Sequence, residues 1–283
     1  MLQVILNIRR WLVFVVLSVF VMAQQSSAVE DAPLWNIAIQ PAKGAFLVAE
    51  PVLLRVTISN NAATPVTVYT KLQNGVGATY EISRDNVAFT RIHPGFYRDP
   101  AGSTQLLAPG DIFVHDEVLL LNWRNTEPLF QIGTNYVRVN CYGKLSQSAQ
   151  IVVTGPSNQD DEAASKIMTR PEIMKAVALR NLDNVRASFE VIAMGKSAYS
   201  PYAAFFLALV ETNKLNAIVL LDKADVTGFP LQSRAVLEKG RINLALGNKQ
   251  KAHEQFERVV NEFPNSAAFF EVKQRKLLKS SQP

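Results

Sequence analysis

Three segments in the second half of the chain repeat one spacing, and this repetition constrains the fold more than any other feature. Asn181, Val185, Phe189 and Ile192 recur as Asn213, Ala217, Leu221 and Ala224, and again as Asn248, Ala252, Phe256 and Val259. Each set has internal steps of four, four and three, and the sets lie 32 and 35 residues apart. Such steps put the last three members on one stripe of a helix. The asparagine falls where two helices must reverse direction, so each unit predicts a helical hairpin. Self-similarity at this period predicts hairpins stacked on a shared core. Thr169, Pro171 and Glu172 add a helix start, with a capping hydroxyl and a proline whose missing N–H costs nothing in the first turn.

Upstream, the period changes. Short β-rich runs at Leu34–Gln40, Pro51–Ser59, Thr64–Thr70, Thr79–Ser83, Val87–Ile92, Ile112–Leu121, Thr134–Tyr142 and Leu145–Thr154 alternate with turn residues such as Asn60-Asn61, Asp85-Asn86 and Pro109-Gly110. Eight strands without a helical period predict a β-sandwich over residues 30–154. The polar stretch around Gly155–Asp161 predicts a linker at 155–163, and a helical domain follows over 164–280. Two separately folding units are therefore expected.

Both halves carry a family resemblance. Ser233–Ser266 is similar to a tetratricopeptide repeat at Gly240, Gly247, Ala252, Phe256 and Pro264, with the A-x3-F and terminal proline spacing kept. It departs from that pattern at Val236, Lys239 and Asn243, where the family prefers Trp, Leu and Tyr. The first half resembles bacterial immunoglobulin-like domains at Glu50-Pro51-Val52, an Asn-rich turn, Pro109-Gly110 and Gly133 leading into Tyr136. Together these imply an all-β plus all-α chain: an immunoglobulin-like sandwich, then a short tetratricopeptide-like solenoid. The repeat resemblance implies a concave groove lined by Tyr202, Phe206 and Leu209 and by Arg234, Leu237 and Arg241. Aromatic residues beside arginines suit a protein or peptide partner with apolar and acidic residues. Glu238 stands where the family places a backbone-clamping asparagine. Arg241, read as a surface residue, is expected to change stability by no more than about 0.5 kcal/mol when replaced.

Residues 1–23 read as a secretory signal: Arg9 and Arg10 precede an uncharged run from Trp11 to Met22, and Val21 and Ala23 fit the small-residue cleavage rule. That run of 12 residues is shorter than the roughly 20 needed to span a bilayer, so no integral span is expected after cleavage. Removing the two arginines lowers the formal charge from +5 to +3, which argues against a nucleic-acid partner. The expected location is periplasmic or secreted.

Chemistry-bearing motifs are sparse. Cys141 is a lone cysteine on an alternating strand and reads as a buried small hydrophobe. His93, His115 and His253 lie apart in the chain, and Asp116 should point away from His115 and Glu117 on a strand. No nucleophile elbow, phosphate loop, H-E-x-x-H or C-x-x-C is present. The reading is thus a non-enzymatic, cofactor-free binding or scaffolding module of the cell envelope. The alternatives are a carbohydrate or envelope-polymer binder acting through sandwich loops such as His93–Pro100, and a hydrolase built on carboxylates distant in sequence.

Overall fold

Val52, Leu53 and Leu54 are buried in succession at the start of one strand, 1%, 3% and 0% exposed. Successive strand residues point to opposite faces, so this strand has no solvated face there. The computed structural model shows why. It describes residues 35–69, 73–74, 77–92, 104–122, 127–179 and 181–281. In these, strands come first: β1 (Trp35–Pro41), β2 (Ala45–Leu47), β3 (Val52–Asn60), β4 (Val66–Tyr69), β5 (Gln73–Asn74), β6 (Gly77–Ser83) and β7 (Thr90–Ile92). Then follow β8 (Thr104–Leu107), β9 (Ile112–Leu119), β10 (Leu121–Asn122), β11 (Glu127–Pro128), β12 (Gly133–Cys141), β13 (Lys144–Leu145) and β14 (Ala149–Thr154).

Antiparallel β1-β3-β9 forms one sheet, with Arg55 opposite Asp116, and a seven-stranded sheet runs β2-β14-β12-β6-β5 with β7 and β13 at its margins. The pairs β4-β8 and β10-β11 complete the strands described. A core lies between the two larger sheets. It takes Ile37, Leu54, Val56, Ile58 and Leu119 from one sheet and Tyr80, Val137, Val139, Cys141 and Ile151 from the other.

The helices are α1 (Gln159–Met168), α2 (Pro171–Leu179), α3 (Arg186–Met194), α4 (Ser200–Val210) and α5 (Lys214–Ala224). They continue with α6 (Gln232–Ala245), α7 (Lys249–Glu262), α8 (Ala267–Gln274) and α9 (Leu277–Ser280). Each packs on its chain neighbour from α3 to α8. The repeated stripes become core: Val185, Phe189, Ile192, Ala217, Leu221, Ala224, Ala252, Phe256 and Val259 are all buried. Asn213 caps α5 by accepting the N–H groups of Leu215 and Asn216, and Asn248 occupies the corresponding place before α7.

The expected architecture is corrected here. The chain is not an all-β immunoglobulin-like domain followed by an all-α solenoid; it is a mixed α/β fold whose helices lie on the strands. Ala49, Leu53 and Leu120 belong to the same cluster as Met168, Phe189, Tyr199, Tyr202 and Leu207, and Val118 packs against it. α2 touches β10, and α8 touches β9. The outer face of β3 and β9 thus buries leucine and valine under helices, a layering that a self-contained sandwich does not have. The stretch 155–163 is not all linker either. Asn158 accepts the Asp161 N–H at 2.8 Å and starts α1 at Gln159.

Candidate functional site

The face assigned to the groove is largely an interior seam. Tyr202 is 1% exposed; its hydroxyl donates to Glu50 Oε1 at 2.7 Å, and its ring meets Phe229 edge-on at 4.7 Å. Phe206 is buried against Phe205, and Leu237 against Phe256 and Val259. Leu209 is partly buried against the core that the helices share with the strands. Tyr202, Phe206 and Leu237 are thus part of the packed interior of the fold.

The two arginines are partly exposed, and both are already paired. Arg234 Nη1 donates to Glu271 Oε2 at 2.9 Å, and Arg241 Nη1 to Glu238 Oε1 at 2.8 Å. Arg241 also donates to the other oxygen of Glu271, which takes Arg275 Nε at 2.9 Å as well. The acidic residue expected of a partner is supplied by α8. The N-terminus of α8 is tied to the sheet, since Asp116 Oδ2 accepts the Ala267 N–H at 3.3 Å while Arg55 grips the same carboxylate at 2.8 and 3.2 Å.

Two ionic centres escaped the sequence reading. Glu50, 4% exposed, accepts from Tyr202, from the Leu47 N–H at 2.6 Å and from Lys43, so strand and helix share one buried carboxylate. Burial, reinforced by the Glu50 charge, pushes the Tyr202 phenol well above its ordinary range. The second centre is Asp225, which accepts from Arg258 through both its oxygens, from Lys239 Nζ at 2.6 Å and from Gln232 Nε2 at 3.0 Å. Burial alone would raise the Asp225 carboxyl, but these donated hydrogen bonds outweigh it and hold it far below the usual carboxylate range. Lys239 was the visible signal, a lysine where the repeat pattern wants leucine. It is 6% exposed and also reaches Asp222 at 3.0 Å.

Among the described residues, no cluster of three metal-ligating side chains occurs. His115 Nε2 lies 3.1 Å from Glu117 Oε2, while Asp116 faces Arg55. Cys141 is fully buried, and burial pushes its thiol up to about 12. The loop His93–Pro100 and the signal at 1–23 lie outside the described residues. No described helix is long and apolar enough to cross a membrane.

Two helices that both pack on α4 turn apolar side chains outward. α3 buries Phe189, Ile192 and Ala193, so its opposite stripe should be polar on an ordinary amphipathic helix. Instead it carries Ala187, Val191 and Met194, the last two 67% and 76% exposed. α5 likewise turns Leu215 and Val219 outward, 64% and 58% exposed.

No protein-family profile matches the chain, and no curated protein does. Among solved structures it is similar to a β-glucosidase from Erythrobacter marinus, at 13% identity and TM-score 0.29, covering 42% of this chain and 15% of that one. A red sea bream transglutaminase gives 15% identity, TM-score 0.25 and coverage of 42% and 15%. A Pseudomonas fluorescens alkylpurine DNA glycosylase bound to DNA gives 13% identity, TM-score 0.26 and coverage of 42% and 30%. The chain therefore spans less than a third of the length of each.

Proposed function

We propose that the chain is an exported protein-binding or scaffolding module of the cell envelope, and that it engages its protein partner through the outward faces of α3 and α5. The apolar N-terminal run supports export. The solvent stripe Ala187, Val191, Met194 on α3, and Leu215 and Val219 on α5, support the binding faces, because exposed apolar side chains grouped on a helix surface mark interaction sites. The arginine face serves a different role in this reading. Its charges are neutralised by Glu238 and Glu271 and fix α8 against α6.

A photo-crosslinking residue placed at Met194 or at Leu215 in the exported chain tests this in the intact envelope. The expected result is one discrete protein adduct at both positions, lost on Val191→Lys and Val219→Lys, and absent with the probe at exposed Lys251 on α7. The same adducts at Lys251 as at Met194 would overturn the assignment.

A further inference from the structure

The described residues contain four sulfur atoms, and the fold sorts them into two environments. Met168 and Met174 are 0% and 1% exposed in the core that helices and strands share, and Cys141 is fully buried between the two larger sheets. Met194 is 76% exposed. A thioether at the surface meets small oxidants from solvent, whereas one packed in a core is shielded from them. Among the described residues, one sulfur is therefore open to oxidation and three are not.

The open sulfur sits on the apolar stripe of α3. Met194 follows Val191 by three residues and Ala187 by seven, so all three lie on one side of the helix. A long helical side chain leans back over the turn before it, which here carries Val191. The thioether thus extends the apolar surface around Val191 instead of standing apart from it. Oxidation converts that flexible apolar group into a polar one whose oxygen seeks hydrogen bonds. The buried packing is left alone, because Met194 is the last residue of α3 and belongs to none of the three buried clusters. The helix end is also secured without it, since the Gly195 N–H donates to the Ile192 carbonyl.

We propose, resting on the reading of α3 as a partner-binding face, that Met194 is an oxidation switch: the thioether permits docking and the sulfoxide prevents it. The step needs only a peroxide. A sulfur lone pair attacks one peroxide oxygen, the O–O bond breaks, that oxygen stays on sulfur as the sulfoxide, and the other leaves as water with both hydrogens. Sulfur is oxidised and the peroxide is reduced. A sulfoxide reductase reverses the change, which makes it a switch and not only damage.

The test exposes the purified exported chain, carrying the photo-crosslinking residue at Leu215, to dilute hydrogen peroxide and then returns it to envelope extract. Peptide mass mapping should place one added oxygen, about 16 Da, on Met194 before Met168 or Met174 gains any. The oxidised chain should melt with the parent yet give less adduct by about fivefold or more, and methionine sulfoxide reductase should restore it. Met194→Leu should keep its adduct through the same treatment, and Met194→Gln should lack one without any treatment. Oxygen reaching Met168 or Met174 first overturns the proposal, as does an undiminished adduct from chain oxidised at Met194. An adduct lost equally in Met194→Leu, an oxidised chain that melts lower than the parent, or a Met194→Gln protein that binds normally overturns it too. An untreated parent without an adduct refutes the α3–α5 face and the switch with it; the order of oxidation, read without any partner, tells the two failures apart.

Discussion

Replacing Gly240 by alanine sets two effects of known sign against each other. Gly240 lies mid-way along α6, where alanine in place of glycine favours the helix by about 1 kcal/mol. Against this, a Cβ at that position would sit 2.5 Å from Phe256 Cε1, 2.8 Å from Cδ1 and 3.1 Å from Cζ. Carbon pairs are comfortable at about 3.5–4.0 Å, so the nearest contact is roughly 1 Å too close. Phe256 is 0% exposed and walled in by Val236, Leu237, Ala252 and Val259, which leaves the ring no direction in which to retreat. Overpacking a core of this kind costs about 1–3 kcal/mol, and a rigid ring met by backbone-borne carbon belongs at the upper end. The net expectation is a loss of about 2 kcal/mol, or about 4–8 °C in melting temperature for a chain of this size. Far-UV circular dichroism melts and urea titrations measure it. The same Gly240→Ala change made on a Phe256→Leu background should be neutral or stabilising, because the obstructing edge is gone. A Gly240→Ala protein that melts higher than the parent would show helix propensity alone at work and refute the packing argument.

Asp225→Asn should cost about 3–5 kcal/mol, because buried Lys239 and partly buried Arg258 lose their common anion; chemical denaturation reads it directly. The folded Asp225 carboxyl is depressed, so its contribution is complete above the unfolded pKa of about 3.9 and is lost as pH falls through the lower folded value. Urea midpoints should therefore hold between about pH 7 and 5, then fall more steeply in the parent than in Asp225→Asn. Cys141, with its thiol raised and fully buried, should resist a thiol-reactive disulfide reagent in the native protein and react once urea is added. Arg241→Glu would set a third carboxylate beside Glu238 and Glu271, so a loss of about 1–2 kcal/mol is expected rather than the near-neutral change of a free surface residue, and Glu271→Lys should restore most of it.

The helical stripes were legible because burial imposes a period: Phe189, Leu221 and Phe256 repeat at the spacing a one-sided helix requires, and all three are core. The α5 cap was legible in Asn213 for a similar local reason. What sequence periodicity does not carry is the partner of each face. Tyr202 and Phe206 read equally well as groove lining or as packing, and the choice was made by Ala49, Leu53 and Leu120, more than 80 residues upstream. The run Val52-Leu53-Leu54 did contain the clue, since three consecutive apolar residues on a strand leave no polar face. Lys239 stood out as a departure from the repeat pattern, but its role and that of Glu50 were opaque, because a buried charge is intelligible only once its counter-ion is in view. Asp225 and Arg258 stand 14 and 19 residues to either side of Lys239.

The seam also decides how the molecule comes apart. The sequence period switches near Gly155, which predicts two units released by brief proteolysis, but the cluster joining Leu53 and Leu120 to Phe189 and Tyr202 crosses that point. Tyr199 adds a hydrogen bond to the Val48 carbonyl at 2.6 Å, and Tyr202 its bond to buried Glu50 at 2.7 Å. A separated strand half would leave Glu50 without the Tyr202 donor and Leu53 without its cover. Both costs fall on the same event, so the two halves should unfold together. Calorimetry should show one transition whose calorimetric and van't Hoff enthalpies agree. Tyr202→Phe removes one hydrogen bond to a charged group, worth about 1.5–3 kcal/mol, and should lower that single transition without splitting it. Two resolved transitions in the parent, or protease-resistant fragments ending near Gly155 that remain folded apart, would show that the seam is only a contact between independent units.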